Sequence, residues 1–136
     1  MKISVLSYSF RGLYNAGMMD VFGYLETCKY RYGLDAADLW SGFFPTTDED
    51  FVGKIGEALR EKDMALADIA VDQAHVWEPD SAQREQHHQR AKRFLEIAHT
   101  LGARFVRIDA GGSRETMTWT NEEFDFIAAR YREYAQ

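Results

Sequence analysis

The chain has 136 residues, a formal net charge of −6 and an isoelectric point near 5.2. Hydrophobic residues make up 46% and charged residues 28%, which is typical of a single folded domain with a real core and argues against disorder. Acidic residues outnumber basic residues by 22 to 16, and this balance argues against a surface for nucleic acids or anionic membranes, which needs clustered Lys and Arg.

The cysteine content and the hydropathy pattern indicate the compartment. Cys28 is the single cysteine, so an intramolecular disulfide is excluded and a reducing environment is favoured. No apolar run approaches the ~18 residues that a membrane-spanning helix needs. We therefore predict a cytoplasmic protein with neither a membrane nor a nucleic acid as partner.

The first third of the chain has the pattern of a strand, a helix and a second strand. Ile3–Ser7 has strand composition, and Asp20–Tyr32 places apolar residues on one helical face. Gly33 follows at the position where a left-handed helix cap is needed. Leu34–Trp40 is then the second predicted strand. This is the first β-α unit and the start of the next.

The middle of the chain repeats that pattern. Pro45 and Thr47 begin a helix for which Thr47 is the predicted N-cap, and Ala65–Val71 is the third predicted strand. A long helix then ends at Gly102, and Phe105–Ile108 is the fourth predicted strand.

The last segment contains a glycine-rich turn and a final helix. Asp109–Gly112 ends the fourth strand, and Thr120 with Glu123 forms a capping box at the start of the helix. That helix runs to Gln136 without a glycine stop or a following strand. We interpret the pattern as truncated.

Together these elements predict an α/β fold of about four consecutive β-α units, in a single domain spanning residues 1–136. Polar and apolar residues alternate in the predicted strands: Asp38, Asp68 and Arg107 take one parity, while Leu39 and Ile69 take the other. A doubly wound sheet is covered on both faces and should be apolar at both parities, whereas a TIM barrel has helices only outside. The pattern favours a partial, half TIM barrel with parallel strands. An ion pair of Arg107 with Asp68 or Asp38 is an equally good, purely structural explanation of these charges.

Three segments resemble a known family: MKISVLSYSF at the start, LDAADLW at the second strand, and KRFLEIAHTLGARFVRIDAGG at the fourth unit. They are similar to the N-terminal half of the xylose isomerase-like TIM barrels, which include sugar and sugar-phosphate isomerases and epimerases. The A-x-x-LGA-x-x-V-R-I segment is the most specific part.

The resemblance implies a metal-dependent isomerase or epimerase that moves a proton through an enediolate. In the complete barrel a divalent metal (Mn, Mg, Co or Zn) would be held by Glu, Asp and His of later strands, beyond Gln136. This chain would supply part of the pocket for a small-molecule sugar but no metal ligand, and alone it is expected to bind no metal and to be inactive. The alternative is a non-catalytic half-barrel subunit that binds a sugar or a partner chain. In both cases the open edges predict self-association or pairing with a second half-barrel.

Candidate pocket residues lie just after the predicted strands, where the active sites of TIM barrels are built. Aromatic residues there pack on sugar rings, and His or Asp hydrogen-bonds hydroxyl groups. Ordinary packing of the aromatics and a solvated loop histidine are alternatives of similar weight. The predicted substrate-binding residues are Tyr8, Phe10, Trp40, His75 and Asp109.

Other candidate sites have weaker support. Asp72, His75 and Asp109 form a possible set of metal ligands on two loops, without a supporting motif. His87 and His88 are adjacent on a helix, about 100° apart, so they cannot both face one ion.

Overall fold

The computed structural model describes residues 3–111 and 118–136, so Met1, Lys2 and residues 112–117, including Gly112 of the predicted turn, lie outside the described residues. Strands and helices alternate along the chain. The three described strands are β1 (Ala36–Trp40), β2 (Ala65–Val71) and β3 (Phe105–Ile108). The α-helices are α1 (Arg11–Asn15), α2 (Val21–Glu26), α3 (Glu49–Glu61), α4 (Ser81–Leu101) and α5 (Asn121–Tyr134).

The strands form one parallel sheet in the order β1-β2-β3. α3 connects β1 to β2, and α4 connects β2 to β3, as expected for consecutive crossover units. The register is interrupted once: Ala37 pairs with Leu66, but the next residue, Asp38, pairs with Asp68. Ala67 is therefore an extra residue in β2, which forms a β-bulge.

Three predicted helix boundaries are confirmed by the residues that cap or end the helices. The Asp20 side chain accepts a 2.8 Å hydrogen bond from the backbone N–H of Gly23 at the start of α2, which continues into a π-helical turn over Thr27–Arg31. Gly33 and Gly102 follow their helices with φ of 65° and 69°, the left-handed conformation that favours glycine.

The sequence also predicted how α3 and α5 begin, and only the prediction for α5 matches the structure. The predicted N-cap at Thr47 is wrong: α3 begins at Glu49, with Asp48 as the N-cap residue and no side-chain capping bond. The predicted capping box of α5 is confirmed, since the Thr120 hydroxyl accepts from the Glu123 N–H at 3.2 Å and the Glu123 carboxylate accepts from the Thr120 N–H at 2.9 Å. Among the helices described, none combines the length and apolar character needed to cross a membrane.

The core lies on one face of the sheet. Leu39 and Ile69 are fully buried there against Ile55 of α3 and Phe94 of α4. Asp38 and Asp68 are register partners on the opposite face, outside the apolar cluster. Helices on one face and polar side chains on the other are the arrangement of a TIM barrel, so the predicted partial barrel is confirmed.

The predicted first strand is reduced to a single bridge between Leu6 and Asp38, and Ser7–Phe10 forms a 3₁₀ helix. The fully buried Tyr24 explains this difference, because its hydroxyl donates to the Val5 carbonyl oxygen at 2.6 Å and accepts from the Asp38 N–H at 2.9 Å. The Ser7 hydroxyl likewise accepts from the N–H of β1's last residue at 2.8 Å. Side-chain hydroxyls thus occupy backbone groups that strand pairing would use.

Candidate functional site

The carboxyl ends of the three strands meet at one edge of the sheet because the strands are parallel. Trp40 ends β1, and its indole Nε1 donates a 2.7 Å hydrogen bond to Oδ2 of Asp72, just after β2. The Tyr8 ring lies edge-to-face on Trp40, with ring centroids 4.9 Å apart. We call the group Tyr8, Trp40, Asp72, Arg107 and Asp109 the mouth residues.

Arg107 links the exits of β2 and β3. Its guanidinium lies 3.8 Å from Oδ1 of Asp72 and 3.5 Å from Oδ1 of Asp109, and about half of each of these side chains is exposed. Exposed ion pairs of this kind contribute little to stability, typically about 0–1 kcal/mol. Their donors and acceptors therefore remain available to a polar ligand such as a polyhydroxylated ring.

Trp40 is held in place by the turn that follows it. The hydroxyl of Ser41 accepts a 3.0 Å hydrogen bond from the backbone N–H of Asp72, so the ends of β1 and β2 are joined twice. The indole packs directly over Gly42, where any Cβ would collide with the ring. The position of the Trp40 ring therefore depends on a glycine two residues later.

A second polar layer lies below the mouth, at Asp38 and Asp68. Burial raises the pKa of both carboxyl groups, and the charge of Asp38 raises that of Asp68 further. The Ser4 hydroxyl, which donates to Oδ2 of Asp38 at 3.1 Å, and the positive charge of Arg107 oppose the increase at Asp38. Arg107 thus interacts electrostatically with both acids, but its ion-pair partners are Asp72 and Asp109 rather than the predicted Asp38 or Asp68.

The structure separates the predicted pocket residues into three groups. Tyr8, Trp40 and Asp109 lie among the mouth residues. Phe10 instead packs against Tyr24 of the core, at a centroid distance of 5.7 Å. Its 3₁₀ helix turns the chain so that Tyr8 and Phe10 have different neighbours. His75 belongs to a separate cluster.

That cluster consists of His75, Glu78 and His87, whose candidate ligand atoms lie within 4.8 Å of one another. Nδ1 of His75 is 2.6 Å from Oε1 of Glu78, and Nδ1 of His87 is 3.8 Å from the same oxygen. The two imidazole rings are edge-to-face at 5.2 Å. Two nitrogen ligands thus flank one carboxylate.

The environment of His87 is unusual. The residue is only 8% exposed, and its Nδ1 is buried without a hydrogen-bond partner. Such an unsatisfied group costs on the order of 1–3 kcal/mol. Burial lowers the pKa of His87, and the neighbouring His75 lowers it further, so the neutral ring that binds metals is favoured.

Sequence reasoning missed Glu78, and it considered His87 as a metal ligand only together with His88, not with His75. The set Asp72, His75 and Asp109 is not brought together as a metal site, because both aspartates face Arg107 while His75 faces Glu78. The available signal was the spacing His75-x-x-Glu78 just before a helix with a histidine in its second turn. The predicted divergence of His87 and His88 is confirmed, since His88 contacts Tyr134 at 3.0 Å instead.

Comparisons with known proteins agree on the fold. No protein-family model matches the sequence, and no curated protein matches it significantly. Among solved structures, a probable 3-DHS dehydratase, AsbF, involved in petrobactin synthesis in Bacillus anthracis, matches 98% of this chain with a TM-score of 0.70 and 16% identity. D-psicose 3-epimerase from Clostridium cellulolyticum H10, solved with D-tagatose, matches 99% with a TM-score of 0.73 and 14% identity.

In both comparisons the chain spans 47% of the other protein's length. The described part of the chain therefore has the fold of about half of a TIM barrel of the kind found in these two enzymes. The two similar structures are a dehydratase and a sugar epimerase, so the fold alone does not assign the reaction.

Proposed function

We propose that this chain forms one wall of the sugar pocket in a sugar or sugar-phosphate isomerase or epimerase. The observation that carries the proposal is the contact of the Tyr8 and Trp40 rings beside the charged row Asp72, Arg107 and Asp109. Aromatic faces pack on the C–H face of a sugar ring, while carboxylates and a guanidinium hydrogen-bond its hydroxyls. Arg107 would also pair with a phosphate substituent.

The mouth residues do not fit a metal centre of their own. Both mouth carboxylates face the guanidinium of Arg107, whose positive charge opposes a cation at this position, and Asp72 also accepts from Trp40. The metal implied by the family resemblance would therefore be held by other residues of a complete barrel. We derive no catalytic step for this chain and propose that it binds and orients the sugar.

The proposal includes a second half-barrel that covers the open edges of the sheet. Large apolar side chains are exposed at both edges: Ile3 is 57% exposed near β1, and Phe105 on β3 is 64% exposed. Both similar solved proteins are about twice as long as this chain, which is the length that a closing half would supply. A non-catalytic half-barrel subunit would need the same cover.

Sugar binding is best tested by NMR titration of the whole chain. Neutral ketohexoses such as D-psicose and D-tagatose, and their phosphate esters, would be added to ¹⁵N-labelled protein. We expect shifts at the Trp40 indole N–H and at the Tyr8 and Asp109 amides, with a dissociation constant on the order of 1–10 mM for a single wall.

Trp40→Ala should abolish these shifts, whereas Tyr30→Ala, which removes a 73% exposed ring away from the mouth, should leave them intact. An absence of shifts up to about 50 mM ligand would contradict the proposal, because it would mean a binding free energy weaker than ~2 kcal/mol. Turnover of these sugars by the chain alone with Mn²⁺ or Co²⁺ would contradict the assignment of a binding wall without a reactive centre.

A further inference from the structure

We propose that His75, Glu78 and His87 form a zinc-binding site on the helix side of the β2 exit. This site differs from the metal centre implied by the family resemblance, whose ligands would lie on later strands. It also departs from the sequence-based expectation that this chain binds no metal. The proposal does not depend on sugar binding, because none of its three ligands is a mouth residue.

The geometry is close to that of a tetrahedral site. Ligands bound to Zn²⁺ at about 2.0–2.1 Å are roughly 3.3 Å apart in a tetrahedron. The present separations from Oε1 of Glu78 are 2.6 Å to His75 Nδ1 and 3.8 Å to His87 Nδ1, which bracket that value. The third pair, the ring nitrogens of His75 and His87, lies within 4.8 Å, so an ion would enter once the three side chains adjust toward a common separation of roughly 3.3 Å.

The buried nitrogen of His87 is the second observation that points to a ligand. Nδ1 of His87 is buried without a hydrogen-bond partner and faces the Glu78 carboxylate at 3.8 Å, too far for a hydrogen bond. A metal ion between the two side chains would satisfy the nitrogen. The position is set by the backbone: His87 lies in the second turn of α4, and the Asp80 N-cap, which accepts from the Gln83 N–H at 2.7 Å, fixes where that helix begins.

The ligand set selects the metal. Two imidazoles and one carboxylate suit Zn²⁺, whereas Mg²⁺ and Ca²⁺ prefer sites built of oxygen atoms. Arg90 also lines the cavity, and its positive charge opposes every cation there, so binding depends on the strong imidazole and carboxylate ligands. The Arg90 guanidinium is held by the Asp72 carbonyl oxygen, to which its Nε donates at 2.8 Å.

Three protein ligands leave the fourth position of a tetrahedral zinc ion open. That position faces a cavity of about 420 Å³ lined by Gln73, Gln83, Gln86 and Arg90 together with the three ligands. A zinc site with an open position binds water or an anionic group. The amides and the guanidinium would favour a small anion, such as a carboxylate, as the fourth ligand.

The test is zinc binding to the metal-free full chain, measured by competition with a chromophoric chelator. We expect one equivalent of Zn²⁺ with a dissociation constant of about 1 μM or below. Co²⁺ should give the intense visible absorption of tetrahedral coordination. Zinc should also raise the melting temperature of the wild-type protein, because binding to the folded state stabilises it.

His87→Gln and Glu78→Gln should weaken zinc binding by at least about 100-fold, since even supporting residues around a metal are worth 10- to 100-fold. His99→Gln is the matched control, because it removes an exposed histidine from the same helix. Far-ultraviolet circular dichroism verifies that each variant is folded.

Two outcomes would overturn the site. One is wild-type affinity for zinc weaker than about 100 μM with no shift in melting temperature. The other is equal affinity in wild type, His87→Gln and His99→Gln. Because both readouts concern zinc alone, they are independent of the sugar titration.

Discussion

The indole N–H of Trp40 is hydrogen-bonded to the carboxylate of Asp72 at 2.7 Å, so the last residue of β1 holds the first residue after β2. Tyr8 contacts the same indole, and Arg107 approaches the same carboxylate at 3.8 Å. The aromatic and charged parts of the mouth are therefore joined through this one bond. Loss of this hydrogen bond should therefore disturb the mouth residues more than the hydrophobic core.

Trp40→Phe tests this bond. The phenyl ring keeps the aromatic face but has no donor, so we expect a loss of about 1–2 kcal/mol in the free energy of unfolding. Asp72→Asn keeps an acceptor oxygen for the indole and should cost less. Urea denaturation of the two variants and of the wild type measures both effects. A Trp40→Phe variant as stable as the wild type would show that the bond contributes nothing.

Tyr24→Phe removes the hydroxyl that joins the N-terminal segment to β1. The Val5 carbonyl oxygen would lose its 2.6 Å hydrogen bond, and the Asp38 N–H would lose its 2.9 Å hydrogen bond. We expect a destabilisation of about 1–3 kcal/mol. Hydrogen exchange should also show faster exchange of the Asp38 amide.

Tyr30→Phe is the matched control, because the Tyr30 ring is 73% exposed and its loss of a hydroxyl should change neither measurement. Equal effects of the two substitutions would contradict a specific role of the Tyr24 hydroxyl.

Asp38→Asn should change the pH dependence of stability. Because burial raises the pKa of Asp38 above its ordinary value of about 3.9, the folded state binds more protons than the unfolded state between the two values. The unfolding free energy therefore falls as pH rises through that window, and the loss persists above it. Asn has no charge, so the variant should be more stable than the wild type at pH 7.

The difference between Asp38→Asn and the wild type should vanish as the pH falls below about 3.9, where the carboxyl group is protonated in both states. Urea unfolding at a series of pH values measures it. Asp125→Asn, on the exposed side of α5, is the control with no expected change of this form. If the extra stability of Asp38→Asn became larger as the pH falls, that would contradict a raised pKa of Asp38.

Phe105→Glu tests whether the β3 edge is an interface. The ring is 64% exposed on the same face as Asp68, its register partner. If copies of the chain associate through this edge, the new carboxylate would be buried in the contact. We therefore expect the dissociation constant for self-association to rise at least about tenfold, which corresponds to ~1.4 kcal/mol. Sedimentation velocity over a range of concentrations measures it.

Tyr30→Glu places the same charge at an exposed aromatic position away from the edge and should leave association unchanged. If the wild-type chain remains monomeric at about 100 μM, its self-association is weaker than ~5.5 kcal/mol. That result would exclude self-association and leave a separate half-barrel as the partner.

The parts of the fold that depend on local sequence could be predicted. Gly33 and Gly102 end helices because they adopt positive φ, and the alternation of Leu39 and Ile69 with acidic residues indicated which face is covered. The mouth position of Trp40 followed from its place at the end of a strand.

The parts that depend on distant contacts could not be predicted. The hydroxyl of Tyr24 takes the backbone groups of a segment about 19 residues earlier and of one 14 residues later, and no local pattern indicates this. Similarly, Gln73 adopts a left-handed conformation with φ of 56°, just before the loop that carries His75 to α4. A non-glycine residue in that conformation cannot be foreseen from composition.

The bulge at Ala67 has a consequence for the tolerance of β2 to changes in length. Leu66 and Ile69 both face the core although they are three residues apart, because the bulge absorbs one position. Deleting Ala67 would leave a regular alternation and the same inner and outer surfaces. Deleting Ala70 instead would reverse the orientation of the residues that follow it. Val71 would then lie on the polar face of the sheet, and Asp72 on the face that the helices cover. A shortened β2 therefore keeps its two faces when the missing residue is Ala67 and exchanges them at its end when the missing residue is Ala70.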